Sequence, residues 1–199
     1  MSSSLLLNTL LIIVIIGLIY YFMTKMMTDG TYTKSKLDNK EYLVQDLDGK
    51  EKASEILSIV KHKIDKLCDH FLRSKNNPEY KKYQKYIDQF CDRIKHVKLY
   101  ENAPGGEYTS STENKGEEIA LCLRSIKDGD LHDINVITYV VLHELSHVAC
   151  PEIDHTPLFK EIFKFFIVVS VNIGIYKIEN YAQNPTEYCG MTIRENLIK

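Results

Sequence analysis

Apolar residues gather first at the start of the chain. Leu5 to Met23 (LLLNTLLIIVIIGLIYYFM) runs 19 residues without a charge. As a helix it would rise about 28 Å, close to the thickness of a bilayer core. Tyr20, Tyr21 and Phe22 stand where an interfacial aromatic belt would be. No Lys or Arg precedes the run and no small-x-small site follows it, a pattern that predicts a retained anchor rather than a cleaved leader. Lys25, Lys34, Lys36 and Lys40 come after it. The positive-inside rule then predicts a single-pass membrane protein, N-terminus out, with its C-terminal domain on the cytoplasmic side.

Beyond the run, residues 25–40 are polar and aperiodic, as a tether would be. The pattern thus divides the chain into an anchor over 1–24, a tether over 25–40 and a domain over 41–199. From Glu51 to Arg73 the apolar positions Ile56, Ile59, Val60, Ile64, Leu67 and Phe71 lie three or four apart, the spacing of an amphipathic helix. Asn76-Asn77-Pro78 breaks it, and Tyr80, Tyr83, Ile87, Phe90 and Ile94 resume helical spacing, with the tyrosines read as core-facing. Tyr108–Thr112 and Glu118–Arg124 read as two short strands around an Asn114-Lys115-Gly116 turn. Asp133 or Asn135 can cap a helix that runs to Cys150 and stops before Pro151. Phe165–Tyr176 is apolar but only 12 residues long, so it is read as a buried core helix.

Composition narrows the class. The chain has 199 residues, 44% hydrophobic and 26% charged, an ordinary globular balance that excludes wholesale disorder. The formal net charge of −2 argues against nucleic-acid binding driven by overall charge, so no nucleic acid is expected as a partner. Charge is nonetheless segregated. Lys61–Lys98 holds 11 Lys/Arg against 5 Asp/Glu, a balance of +6, and Glu101–Asp154 holds 3 against 11, a balance of −8. Two solvated faces of opposite sign account for it. The five cysteines form no C-x-x-C pair and are odd in number, which reads as free thiols in a reducing compartment.

The chemistry concentrates in residues 143–155, HELSHVACPEIDH. His143 and His147 are i and i+4 on a helix, so both imidazoles leave one face and can share one metal ion. Glu144 follows the first ligand and can take a proton from a water polarised by the metal. Pro151 ends the helix, so the chain can turn back towards the ion. A catalytic zinc site needs a third protein ligand and an open fourth position. His155 is the candidate, with Glu152, Asp154, Glu161 and Glu187 as alternatives. Zn2+ is the expected cofactor. His62, His70, His96 and His132 fall outside the cluster.

HELSHVACPEIDHTPLF resembles the WLM and SprT-like zinc metallopeptidases, and within them the WLM-like proteins of large DNA viruses. Supporting likeness comes from GEEIALCLRS before the metal helix and from Ile173–Ile193 after it. Two departures stand out: seven residues separate His147 from His155 where five are common, and Asp154 stands where Gly is often found. The resemblance implies an α+β fold, a small antiparallel-type sheet packed on helices with a central zinc helix. It implies hydrolysis of a peptide or protein substrate, with His143, His147 and His155 on zinc and Glu144 as base. Glu118, Ile119, Ala120, Leu121, Cys122 and Leu123 would be an edge strand to which an extended peptide adds. Tyr188 could offer a phenol to the oxyanion, although a buried core role is the simpler reading. Met191 could lie beneath the metal as in a Met-turn, with core filler the simpler reading. The rival class is a catalytically silent zinc-binding membrane scaffold, its fourth position closed by Asp154 or Cys150. Oligomeric state is not legible.

Overall fold

The computed structural model describes residues 8–9, 11–18, 30–103, 109–114 and 116–195. Of the expected anchor, Asn8, Thr9 and Leu11–Leu18 are helical, and the rest of Leu5–Met23 lies outside the described residues. Among the described residues no helix is long and apolar enough to cross a membrane. That finding overturns the expected localisation as a single-pass protein with a cytoplasmic C-terminal domain.

Five strands build one sheet: β1 (Gly30–Lys34), β2 (Glu41–Gln45), β3 (Lys98–Glu101), β4 (Ser110–Glu113) and β5 (Glu118–Leu121), in the order β1-β2-β3-β5-β4. β1 lies inside the stretch read as a tether. It is polar on both faces, so no alternation marks it, and it is held by antiparallel pairing with β2 from Gly30↔Gln45 to Lys34↔Glu41. The sheet is mixed rather than antiparallel. β2–β3 and β3–β5 run parallel, while β1–β2 and β4–β5 run antiparallel. The parallel step from β2 to β3 needs a long crossover, and α1 (Lys50–Arg73) and α2 (Gln84–Arg93) supply it.

α1 buries Ala53, Leu57, Val60, Ile64, Leu67 and Phe71 against β1, β2 and β3. Its stripe is turned slightly from the one read in sequence, with Leu57 inside and Ile56 and Ile59 at its margin. The stretch from Tyr80 is a 3-10 turn (Pro78–Tyr83) running into α2. Tyr80, Phe90, Phe165 and Phe166 all pack within 6.1 Å of the Phe71 ring centroid. Tyr83 stacks on Phe165 at 4.0 Å, so both tyrosines serve the core as read.

Two helices complete the layer, α3 (Ile134–Ala149) and α4 (Pro157–Asn172). Each begins with a side-chain cap. Asp133 accepts from the Asn135 N–H at 2.7 Å, and Thr156 accepts from the Phe159 N–H at 3.2 Å with Pro157 in the first turn. α3 packs on α2, α4, β4 and β5 and so lies at the centre of the domain. The chain closes with a separate two-stranded hairpin, β6 (Thr186–Tyr188) and β7 (Met191–Ile193).

Candidate metal centre

His143 and His147 leave the same face of α3, one turn apart. The helix ends at Cys150, where Pro151 cannot continue it. Its last carbonyls are held by α2: Arg93 Nη1 donates to the Val148 oxygen at 2.6 Å and Gln89 Nε2 to the Ala149 oxygen at 2.9 Å. A cation and an amide there satisfy groups a helix end leaves open. They also fix the point from which the chain turns. Asp154 adopts a left-handed conformation (φ 68°), and His155 comes back over the helix. Asp154 thus holds a backbone conformation that favours Gly.

The three imidazoles converge. His143 Nε2 lies 3.2 Å from His147 Nε2 and 2.9 Å from His155 Nε2, and one ligand atom from each lies within 4.8 Å of the others. A tetrahedral zinc ion with bonds of about 2.0–2.1 Å sets its nitrogen ligands roughly 3.3 Å apart. The residues present fit such an ion. Burial favours the neutral form of two of the imidazoles, as metal ligands must be: His143 is pushed down to about 3 and His147 to about 4, each first by desolvation and then by neighbouring imidazoles. Three of the four alternative third ligands are engaged elsewhere. Glu152 accepts from Thr156, Glu161 pairs with Lys82, and Glu187 accepts from the Gly190 N–H.

Beneath the imidazoles lies Phe159, from the first turn of α4. Its ring stacks on His147 at 4.1 Å and stands 4.9 Å from both His143 and His155. In the sequence it is the last residue of HELSHVACPEIDHTPLF, which carries the family resemblance, with no packing role against the imidazoles assigned to it. The usable signal was its place four residues after His155, in the first turn of a capped helix.

Glu144 is buried, only 7% exposed, and its Oε2 accepts from Thr112 Oγ1 at 2.9 Å. Desolvation raises its carboxyl to about 7, partly offset by the Thr112 hydroxyl. Thr112 belongs to β4, which corrects the expected edge strand. β5 (Glu118–Leu121) is paired on both sides, by β3 and β4, and Cys122 and Leu123 lie beyond it. The outer strand on the metal side is β4. Period-two spacing identifies a strand but not its neighbours, and Ser110–Glu113, a polar run, carried no burial signal.

A cavity of about 390 Å³ opens beside His143, Glu144 and His155. Tyr139, Val140, Phe159 and Phe163 give it an apolar side, and Tyr188, Met191 and Ile193 of the terminal hairpin face them. Tyr188 is buried at 1% exposure, its hydroxyl 2.8 Å from Ser110 Oγ on β4, and burial raises its phenol well above the ordinary value. Met191 is 53% exposed at the cavity rim, so it is not core filler. Cys189 is not a free thiol. It is joined to Cys122 in a disulfide, while Cys68, Cys91 and Cys150 are free. The sulfurs lie 67 positions apart in sequence, and no local pattern announces such a pair.

No protein-family model matches the chain. The uncharacterised protein R325 of Acanthamoeba polyphaga mimivirus is 51% identical over 199 residues, the whole of both chains. The chain belongs to the same family as that protein. Shorter similarity reaches the uncharacterised protein 136R of Invertebrate iridescent virus 6, 41% identical over 69 residues, which are 34% of this chain and 38% of that one. Among solved structures, Wss1 from Saccharomyces cerevisiae is 21% identical with a TM-score of 0.48, covering 66% of this chain and 87% of its own. Wss1 from S. pombe, in a mutant form, gives 21% and 0.40 over 62% and 88%.

Proposed function

We propose that members of this family are zinc-dependent metallopeptidases that hydrolyse peptide bonds in a protein substrate. The observation that carries the reading is the convergence of three imidazole Nε2 atoms beside a buried carboxylate with a raised pKa. A structural metal site has no use for Glu144, whereas hydrolysis needs a base poised near neutral pH.

His143, His147 and His155 would hold the ion. Zinc supplies Lewis acidity and makes water a stronger acid at neutral pH. Glu144 takes the proton of the attacking water and returns it to the leaving amine. Thr112 holds the carboxylate in place, so the base is fixed from the strand that an extended peptide would pair with. That strand is β4, whose outer edge lies on the metal side of the sheet. Tyr188 lines the same cavity, and its hydroxyl, shared with Ser110, would be the donor to the oxyanion.

Elemental mass spectrometry of the purified chain is expected to give about one zinc per molecule, and far less in His143→Ala, His147→Ala and His155→Ala. Glu144→Gln is expected to keep its zinc and lose about 10²–10⁴-fold in hydrolysis of an unfolded protein substrate. Equal hydrolysis by Glu144→Gln and the parent would sink the peptidase reading. A zinc-loaded parent that cleaves nothing would leave a zinc-binding module in its place.

A further inference from the structure

The terminal hairpin is the least self-sufficient part of the cavity. Its strands are three residues each, and it forms a sheet of its own, apart from the five-stranded one. A lone two-stranded hairpin of that size is marginal in water. Its turn is Cys189-Gly190, with φ of 50° and 82°. Both values fit a two-residue primed turn, for which Asn-Gly is the favoured pair. Cys in the first position gives up that preference and places a sulfur against Cys122, which directly follows β5.

We propose that Cys122–Cys189 is a reversible redox latch that holds the C-terminal hairpin, and with it Tyr188 and the outer wall of the cavity, against the metal site. The claim rests on the peptidase reading only for the meaning of that cavity. One feature sets how the bond is reached, and two support its reversibility. Both cysteines are buried, at 1% and 3% exposure, so the bond is reached only when the hairpin opens. The Arg124 carbonyl lies 3.2 Å from Cys122 Sγ and 3.3 Å from Cys189 Sγ, so each thiol finds an acceptor on reduction. His132 Nε2 accepts from the Cys189 N–H at 3.2 Å and lies 3.4 Å from its sulfur, a second acceptor for the Cys189 thiol once the bond is reduced. A dithiol reductant opens the latch. Its thiolate attacks one sulfur, the S–S bond breaks, and the other sulfur leaves and takes a proton. The second reductant thiol then displaces the first. Two cysteine thiols and one oxidised dithiol result, with two electrons moved.

The test is hydrogen exchange on the full chain, oxidised with diamide or reduced with dithiothreitol. Amides of Thr186–Ile193 are expected to exchange at least about tenfold faster after reduction, with those of α3 unchanged. A Cys122→Ser/Cys189→Ser double variant is expected to exchange at the fast rate in either condition. Alkylation in denaturant is expected to label three cysteines before reduction and five after. Five labelled cysteines even after diamide, or equal exchange in both states, overturns the latch. Hydrolysis that persists without any response of the hairpin removes the latch alone. A responding hairpin in a chain that cleaves nothing removes the peptidase reading and leaves the latch.

Discussion

The metal helix and the terminal hairpin face each other across one cavity and hold their side chains by opposite means. α3 buries residues on all sides, from Val136 to Ala149, and its end is fixed by Arg93 and Gln89. Its histidines are therefore placed by the core of the domain, and moving them means disrupting it. The hairpin has two short strands, a hydrogen bond between Tyr188 and Ser110, one from the Cys189 N–H to His132, and the bond from Cys189 to Cys122. In the proposed reading a ligand set would need a fixed platform, whereas a wall that would admit a polypeptide can be held more loosely. The hairpin is tied to the five-stranded sheet at Arg124, whose carbonyl faces both sulfurs and whose side chain enters the sheet.

The largest effect on stability is expected there. Arg124 Nε donates to Glu101 Oε1 at 2.8 Å and Nη1 to the Asp48 carbonyl at 2.7 Å, with the Glu101 side chain wholly buried. Burial already pushes the Glu101 carboxyl up, and the guanidinium pulls it back. Arg124→Met strands that carboxylate and is expected to cost about 3–5 kcal/mol in urea unfolding. Glu101→Gln added to it should restore much of the loss. A single variant within about 1 kcal/mol of the parent would show that the pair does not anchor this end of the sheet.

Acid tests the helix side. His143 and His147, pushed to about 3 and about 4, bind protons more tightly when unfolded. Their contribution to the metal-free chain is whole above about pH 6.5 and is lost as pH falls through 6.5 towards 3–4. Glu144, raised to about 7, runs the other way, stabilising at low pH and losing that contribution between about 4.5 and 7. The histidines are two and their shifts together are larger. The EDTA-treated chain is therefore expected to lose on the order of 3 kcal/mol between pH 6.5 and 4. Urea midpoints across that range measure it, and a flat profile would mean the imidazoles are not buried as neutral groups.

What sequence could show follows the same division. The metal helix was legible because its information is local. His143 and His147 lie one turn apart, Asp133 caps the start, Pro151 marks the end, and His155 follows within the next turn of chain. The helical period also revealed α1 and most of α2. What faces the helix is non-local. β4 is legible as a strand over Tyr108–Thr112 but not as the outer one, and β5 lost its place as an edge because Ser110–Glu113 covers it; at the far edge of the sheet, the polar β1 has pairing with β2 as its only signature. The Cys122–Cys189 pair joins segments that nothing in their own neighbourhoods relates. The N-terminal run was read by length and hydropathy alone, and composition does not establish a spanning helix.

The finest probe of the comparison is the turn that brings β4 and β5 against α3. Gly116 is buried with φ of 113°, and a Cβ added there would lie 2.9 Å from Val148 Cγ1 and 3.2 Å from Cγ2. Gly116→Ala therefore meets two separable penalties, a backbone region that L-residues avoid and a clash with the metal helix one residue beyond His147. Together they are expected to cost about 1–3 kcal/mol. Val148→Ala in the same chain opens the space and removes the second penalty while leaving the first, at its own cost as a cavity. A coupling energy of about 1 kcal/mol or more between the two substitutions would place the sheet in direct mechanical contact with the ligand helix. Strict additivity would show that the turn resists Ala through its backbone alone and that α3 does not feel it.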